Sequence, residues 1–462
     1  MSLKALFSAK DMTLGSPWKR IMEFSIPMLL GNLAQQLYNT ADSIIVGQYV
    51  GDLALAAVGS AMPILNLLLA LFVGISTGAG IVVSQSFGAK DRKGLTEAIG
   101  NCISMSFIAS LVIMVVGPLI TMPMLQLLGT PESIIYDCRD YLNIYFLGII
   151  GFFFYNMLSG ILRGLGDSVS ALGFLLLAAA LNVVLDLMFV KDMGVAGVAL
   201  ATIISQAISA VFCYIKLARM KDLFDLGLKG MKLLPNVAGR ILQIGIPSGV
   251  TQAIMATAGM VVLNLTNAMG ETVIACNVVV MRVDGFAMMP NFTFGQAMSV
   301  YTGQNVGAGK FDRVHKGTKQ GSIIAFIFSA AITFSLLFLG KYLFALFTDT
   351  PELIDLACRM IRLMAVGYIC VSVTQVLGGV MRGAGDTVSP MWISMISTIA
   401  IRIPVAYGLA WLTRSEAFPH GQPSALFGSL MFSWAMGMVM TIVVYAAGKW
   451  KKKMYASHMD LE

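Results

Sequence analysis

The sequence predicts an all-α polytopic membrane protein of twelve transmembrane helices in two pseudo-symmetric six-helix bundles. Three observations support this prediction: an apolar composition, a series of long apolar stretches, and an internal repeat. Of the 462 residues, 57% are hydrophobic and only 12% are charged, and the mean hydropathy is +0.80. Because soluble domains carry about 25% charged residues, this composition is typical of a chain that lies in a bilayer.

Twelve apolar stretches are long enough to cross a membrane, since about 20 helical residues span roughly 30 Å of hydrocarbon. Their Leu-, Ala- and Met-rich sequences lack the two-residue alternation of outer-membrane barrel strands, so helices are predicted. The predicted spans are 20–46, 53–83, 94–119, 132–160, 168–190, 195–217, 238–269, 272–303, 314–338, 352–380, 387–412 and 424–448.

The positive charges lie in alternate connections between these spans, although the net charge of +7 alone could indicate nucleic-acid binding. Lysines and arginines gather before the first span, in every second connection and after the last span. The intervening connections hold only Lys191, Lys341 and Arg414 clearly outside a span. This asymmetry follows the positive-inside rule. We therefore expect a multi-pass protein of the cell (inner or plasma) membrane with both termini cytoplasmic, and no nucleic-acid partner.

The second half of the chain repeats the first. Residues 163–170, RGLGDSVS, recur at 382–389 as RGAGDTVS, displaced by 219 positions (382 minus 163). Each copy holds six spans, an even number, so the two copies share one orientation in the membrane. Further pairs at nearly the same displacement are Ile26-Pro27 with Ile246-Pro247, Gln85 with Gln304, and Pro131-Glu132 with Pro351-Glu352.

The repeat divides the chain into two lobes joined by a polar linker. The glycines of the RGxGD element in each lobe allow a tight turn, and its arginine and aspartate can cap helix ends or pair with each other. A phosphate-binding loop is disfavoured because the lysine of such loops is missing. The predicted segments are a cytoplasmic N-terminal segment (1–19), an N-lobe (20–217), a cytoplasmic linker (218–237), a C-lobe (238–448) and a cytoplasmic tail (449–462).

Three acids lie well inside predicted spans, namely Asp42, Asp186 and Asp284. A carboxylate near the middle of a bilayer costs about 2.5–3.5 kcal/mol on insertion scales, so a functional role is its default interpretation. The alternative is a purely structural ion pair.

Polar side chains accompany two of these acids on single helix faces. Positions three, four and seven residues apart share a face, which groups Gln35, Tyr38, Asn39 and Asp42 in the first span. The same spacing pairs Asn182 with Asp186 in the fifth span and Thr202 with Gln206 in the sixth. Such oxygen-rich sets suit a small cation such as Na⁺, or a buried acid that takes up a proton, and the residues do not decide between the two.

The second copy lacks this set. When the copies are aligned on their Ile-Pro pairs, Asp42 lies opposite Val262, so the N-lobe is predicted to bind the coupling ion. Arg282, Asp284 and Arg402 form either a stabilising ion pair or a candidate secondary polar site. A direct bond between Arg282 and Asp284 is disfavoured, since residues two apart do not face each other on a helix.

These features resemble the multidrug and toxic compound extrusion (MATE) family over residues 20 to 448. The resemblance rests on the first-span stretch QQLYNTAD at 35–42, the twin RGxGD elements, the QxxGA endings at Gln85 and Gln304, and Asn182-xxx-Asp186. It implies a V-shaped pair of six-helix bundles that alternates between outward-open and inward-open states. Such transporters export organic, often cationic and amphiphilic compounds in exchange for H⁺ or Na⁺.

The resemblance also implies roles for individual residues. Asp42 would be the central protonatable or ion-binding acid, with Asn182, Asp186 and Thr202 as its partners. Residues expected to line the substrate cavity are Gln35, Tyr38, Asn39, Asn156 and Gln206.

One position departs from part of the family. Met255 in the seventh span stands where one branch has a glutamate, which favours coupling through the N-lobe and resembles the DNA-damage-inducible F type. We expect no catalytic residues, no cofactor and no resident metal, with Na⁺ at the N-lobe set as the one candidate ion. A monomer is expected because two lobes enclose a complete pathway.

Two other classes of protein fit the sequence less well. A flippase for lipid-linked saccharides is the alternative function, but it should line its cavity with several basic residues for pyrophosphate, and only Arg282 and Arg402 lie deep in spans. A membrane-embedded transferase would need clustered acids that bind magnesium, and the sequence contains no DDxxD-like run. The sequence therefore predicts a transporter and not an enzyme.

Overall fold

The structure, a computed structural model, describes residues 8–226 and 232–459. Inside the first two helices it does not describe the side chains of residues 39, 41–44, 46–47, 52–56 and 63. The helices of the first half are α1 (Pro17–Tyr49), α2 (Asp52–Gly88), α3 (Arg92–Leu127), α4 (Glu132–Leu147), α5 (Ile149–Gly164), α6 (Ser168–Met193) and α7 (Val195–Ala218). Those of the second half are α8 (Pro235–Ala268), α9 (Glu271–Gly307), α10 (Phe311–Ala345), α11 (Pro351–Gly383), α12 (Val388–Met395), α13 (Arg402–Leu412), α14 (Ser424–Ala447) and α15 (Lys449–Met459).

The helical membrane fold is confirmed. Ten helices among the described residues are long and apolar enough to cross a bilayer, and α4 with α5 makes an eleventh when counted as one bent span. The remaining predicted span corresponds to α1, whose 33 residues are also long enough to cross. The protein is therefore a multi-pass membrane protein.

Two predicted spans are interrupted. The fourth, 132–160, bends by 54° between α4 and α5, where Gly148 lies. A Cβ at Gly148 would come within 2.1 Å of the Cδ1 atom of Ile203 on α7, so glycine lets the bend pack against α7. The eleventh, 387–412, contains a π-helical segment, Ile396–Ile401, between α12 and α13.

The chain folds as two compact units. Within the described residues, unit 1 holds the segment up to Asp11 together with Ile26–Gly249, and unit 2 holds Met12–Ser25 together with the chain from Val250 onward. The boundaries between the units fall inside α1 and α8, close to the repeat-related Pro27 and Pro247. Proline removes a backbone donor from a helix interior, so each of these two helices has one hydrogen bond fewer near the boundary between the units. The predicted lobes, by contrast, begin and end between helices.

In unit 1, glycines bring α2 and α8 into backbone contact. A Cβ at Gly74 would lie 2.0 Å from the backbone nitrogen of Gly249, and one at Gly78 would lie 2.6 Å from that of Gly245. This is the small-xxx-small spacing through which membrane helices approach closely. The first half of α8 is therefore packed into unit 1.

In unit 2, the short stretch before α1 is bonded to the end of α9. The backbone nitrogen of Met12 donates to Oε1 of Gln304 at 2.8 Å, and Arg313 donates from Nη2 to the Met12 carbonyl at 3.1 Å. The repeat-related glutamine of unit 1, Gln85, accepts a hydrogen bond from Nη2 of Arg240 at 2.9 Å. The glutamine of each QxxGA ending thus receives a donor from the chain segment that begins or precedes a first helix.

The RGxGD elements form the predicted turns, and their aspartates bind the following helix start. Gly166 and Gly385 adopt φ values of +81° and +92°, a left-handed conformation that favours glycine. Asp167 accepts hydrogen bonds from the backbone nitrogen and hydroxyl of Ser170 at 2.9 and 2.7 Å. Asp386 accepts the same pair of bonds from Ser389 at 3.2 and 2.6 Å, so each aspartate binds the first turn of the following helix.

Candidate functional site

A buried polar pair lies on α6. Asn182 and Asp186 are four residues apart, so they share one helix face, and both side chains are fully buried at 0% exposure. Burial of a carboxylate is costly unless a cation, a proton or hydrogen-bond donors satisfy it. This face of α6 therefore holds a group that requires a partner.

The neighbouring helix α7 presents oxygen and amide groups at the same spacing. Thr202 and Gln206 are both buried, and Nδ2 of Asn182 donates to Oγ1 of Thr202 at 3.2 Å. The threonine hydroxyl in turn donates to the carbonyl of Val198 at 3.0 Å. The Oε1 atom of Gln206 is buried and accepts no hydrogen bond from any residue that the structure describes. The structure thus brings the predicted Asn182 and Thr202 into contact, with Asp186 one helical turn along α6.

Part of the predicted set on α1 can be located. Gln35 and Tyr38 are half-buried in unit 1. Asn39 and Asp42 belong to the same helix, but their side chains lie outside the described residues. Their predicted roles in ion and substrate binding therefore stay predictions.

Asn156 holds two helices of unit 1 together. Its Nδ2 donates to the carbonyl of Phe152 on its own helix at 2.9 Å, and its backbone carbonyl accepts from Oγ of Ser76 on α2 at 2.8 Å. The side chain remains half-buried, and its predicted place in a substrate cavity stays a prediction.

The predicted secondary site of the C-lobe separates into two parts. Asp284 and Arg402 both line one cavity of about 360 Å³ in unit 2, whereas Arg282 is exposed and does not line it. The Oδ1 atom of Asp284 accepts a hydrogen bond from the hydroxyl of Tyr368 at 2.9 Å. Met255 also lines this cavity and contributes an apolar side chain to its wall.

Sequence reasoning missed two members of this region. Tyr368, the donor to Asp284, carried no pattern that marked it. Arg382 lines the cavity as well, although the repeat suggested only a turn element. One difference between the copies could have marked Arg382. The residue four positions before the RGxGD arginine is Ser159 in the first copy and Gly378 in the second.

The two regions differ in the ligands they could hold. Carboxylate, amide and hydroxyl oxygens on α6 and α7 are suited to Na⁺ or to a proton. Among the described residues, no three His, Cys, Asp or Glu side chains are grouped as in a transition-metal site. Long apolar helices with a few buried polar groups between them define a membrane transporter as the class of protein.

The MatE family model matches residues 27–188 and 247–408, one match in each copy of the repeat. These two matches cover more than half of the chain, so the protein belongs to the MatE family. The more specific assignment to a DNA-damage-inducible F-like branch stays a prediction.

Similar proteins extend over nearly the whole chain. The probable multidrug resistance protein YpnP of Bacillus subtilis is 30% identical over 446 residues, which cover 96% of this chain and 98% of YpnP. The probable multidrug resistance protein YoeA of the same organism is 26% identical over 449 residues and 95% of each chain.

Solved structures show the same fold. A crystal structure of MATE in complex with MaL6 superposes with a TM-score of 0.87 at 23% identity and covers 99% of both chains. The outward-facing conformation of a multidrug resistance MATE family transporter gives a TM-score of 0.86 at 23% identity, covering 97% of this chain and 99% of that one.

Proposed function

We propose that the protein exports small organic cations from the cell in exchange for H⁺ or Na⁺, with the coupling ion bound on α6 and α7. One observation carries the proposal: the fully buried carboxylate of Asp186 lies one turn from the Asn182–Thr202 hydrogen bond. An acid inside a membrane span is costly and is retained by default for function. Asp42 would complete the ion site, because it continues the polar face of α1 that begins at Gln35 and Tyr38, about two turns and one turn earlier.

The proposed cycle depends on competition for negative charge. A carboxylate attracts an organic cation, and an ion or proton that binds the same carboxylate removes that attraction. Entry of the coupling ion from outside would therefore release the substrate and favour the return of the ion-loaded carrier to its inward-open state. Such exchange requires that ion and substrate bind differently to the two states of an alternating-access cycle.

The proposed substrates are small organic compounds because the relatives YpnP and YoeA are named probable multidrug resistance proteins. A positive charge on an amphiphilic substrate is proposed because the carboxylates assigned to the ion site attract cations. The charge distribution supports cytoplasmic termini, since basic residues concentrate in alternate connections and at both ends. Export by a single chain is proposed, because both copies of the repeat are present in it.

Transport in proteoliposomes tests the proposal. Purified protein is reconstituted, and movement of the fluorescent cation ethidium is followed under an imposed proton gradient and, separately, a sodium gradient. We expect one of the two gradients to drive ethidium movement. Asp186→Asn should abolish this movement, because the neutral amide has no negative charge for which ion and substrate could compete. Asp42→Asn is expected to behave in the same way.

Asp192→Asn is the matched control, since Asp192 lies on the same helix but is exposed. It should transport ethidium at the wild-type rate. Full gradient-driven transport by folded Asp186→Asn would contradict the assignment of the ion site. Folded wild-type protein that moves no dye under either gradient would favour the lipid-linked saccharide flippase.

A further inference from the structure

The cavity of unit 2 has a composition that an organic-cation exporter does not require. It measures about 360 Å³, within the range of pockets that bind small molecules. Met255, Met288 and Trp434 contribute apolar walls, and two arginines and one aspartate are its only charged lining residues among those described. Guanidinium groups stay charged in proteins, so these side chains carry an excess of one positive charge when Asp284 is ionised.

The repeat explains why Arg382 is available to a ligand. Its counterpart in unit 1, Arg163, donates from Nη1 to Oγ of Ser159 at 3.1 Å. In unit 2 the serine position is Gly378, and a Cβ there would lie 3.3 Å from Nη1 of Arg382. The guanidinium thus lies beside the position that the serine side chain would occupy. Within the described part of the chain, Arg382 forms no side-chain hydrogen bond or ion pair.

Arg402 is the second cationic group, and an irregular helix positions it. Pro404 has no N–H to donate four residues back, and the π-helical segment Ile396–Ile401 ends directly before Arg402. Such π-segments often mark functional sites. The Nε atom of Arg402 is buried, and it donates to no acceptor among the described residues. Burial of a charged donor without an acceptor is costly, and an anionic oxygen of a ligand would remove that cost.

Asp284 does not satisfy the arginines. Its Oδ1 atom accepts from Tyr368, and among the described residues no ion pair joins it to Arg382 or Arg402. The carboxylate reduces the positive charge of the cavity without cancelling it. A ligand with one anionic group would balance the remaining charge.

We propose that this cavity binds an amphiphilic organic anion, whose carboxylate or phosphate contacts Arg402 and Arg382 while its apolar body packs against the methionines and Trp434. Arginine is suited to such anions because its planar donors match two oxygens at once. The site goes beyond the proposed cation exchange and does not depend on α6 or α7. Its occupant is either a free amphiphile or the headgroup of an anionic lipid.

Binding of dansylglycine tests the proposal, with dansylethylenediamine as the cationic analogue of similar size. Full-length protein in phosphatidylcholine nanodiscs is titrated with each probe, and energy transfer from tryptophan to the dansyl group is recorded. We expect dansylglycine to bind and the amine to bind at least about tenfold more weakly, as follows from loss of a charge-assisted hydrogen bond. Arg402→Gln and Arg382→Gln should each weaken dansylglycine binding about tenfold or more.

Matched variants separate anion binding from folding. Arg282→Gln removes an exposed arginine of α9 and should bind dansylglycine like the wild type. Gly378→Ser should weaken binding, because its hydroxyl can hold Arg382 as Ser159 holds Arg163, whereas Gly378→Ala adds a Cβ without the hydroxyl and should weaken binding less. If Arg402→Gln fails to fold, Arg402→Lys, which keeps the charge, provides the comparison and should bind with intermediate affinity.

Nanodiscs that include phosphatidylglycerol identify the source of the anion. Loss of dansylglycine binding in them supports a lipid headgroup as the occupant, and unchanged binding supports a free amphiphile. Asp186→Asn should retain dansylglycine binding, so failure of the proposed ion exchange remains distinguishable. Equal binding of the two probes, or wild-type affinity in both arginine variants, would overturn the proposal.

Discussion

The two copies of the repeat share their turns but not their buried polar chemistry. Both form an RGxGD turn whose aspartate binds a serine three residues on. On α6, Asn182 and Asp186 are buried in unit 1, but the residues displaced by 219 positions are the apolar Ile401 and Val405. Unit 2 has a cavity with two arginines instead. Residues that close turns are thus kept in both copies, whereas the buried polar residues proposed to bind ligands differ.

A single exchange illustrates how this difference arises. Ser159 binds Arg163 in unit 1, and Gly378 in unit 2 leaves Arg382 without that bond. Loss of one hydroxyl converts a structural arginine into a candidate ligand-binding one. Sequence symmetry in this chain therefore predicts the backbone geometry of the turns better than it predicts the buried polar groups.

The largest loss of stability is expected from a substitution at the backbone contact between α2 and α8 in unit 1. Gly74→Leu would place a side chain against the backbone of Gly249, 2.0 Å from the modified Cβ position. The helices α2 and α8 must then separate, so we expect loss of folded protein in detergent, measured by size-exclusion chromatography and thermal unfolding. Gly59→Leu on the same helix, where a Cβ meets nothing within 4 Å, should fold normally. A folded Gly74→Leu protein of wild-type stability would contradict the close contact.

An intermediate effect is expected from the hydroxyl that joins α6 to α7. Thr202→Val removes the acceptor of Asn182 Nδ2 and should destabilise the protein by about 1–3 kcal/mol. It should also lower the apparent affinity for the coupling ion, measured as the ion concentration that gives half-maximal ethidium transport. Thr202→Ser keeps the hydroxyl and should retain both properties. Wild-type ion dependence in Thr202→Val would remove Thr202 from the ion site.

The smallest effect is expected at the shared turns. Asp167→Ala and Asp386→Ala each remove the acceptor of a serine N–H and hydroxyl and should cost about 1 kcal/mol, as for other N-caps. Asp167→Asn and Asp386→Asn retain an acceptor and should lose less. The change in the free energy of unfolding is measured by thermal unfolding of the four variants. A decrease of several kcal/mol for the variants of only one copy would show that the two turns are not equivalent.

Much of the fold could be predicted because apolar length and short motifs are properties of residues close together in the sequence. Apolar length located the spans, the repeated Ile-Pro pairs helped to reveal the two copies, and capping was one of the roles expected of the RGxGD aspartates. The bend at Gly148 and the π-helical segment before Arg402 were not predicted, since both depend on contacts with distant residues such as Ile203 or on adjustment around Pro404.

The candidate site was predicted in part for the same reason. Helical spacing placed Asn182 with Asp186 and Thr202 with Gln206, and the structure adds the hydrogen bond between the two helices. Tyr368 and Arg382 could not be assigned from spacing, because their roles arise from neighbours far along the chain. The separation of exposed Arg282 from Asp284 follows from helix geometry and was expected.

The central claim is that unit 1 binds cations whereas unit 2 binds an organic anion. Its most direct test is to measure ethidium transport and dansylglycine binding in the same two variants. Both are measured in Asp186→Asn and Arg402→Gln protein. We expect Asp186→Asn to lose gradient-driven ethidium transport but to retain dansylglycine binding. We expect Arg402→Gln to lose dansylglycine binding but to retain ion-dependent ethidium transport. Loss of both activities in each folded variant, or retention of both, would contradict this claim.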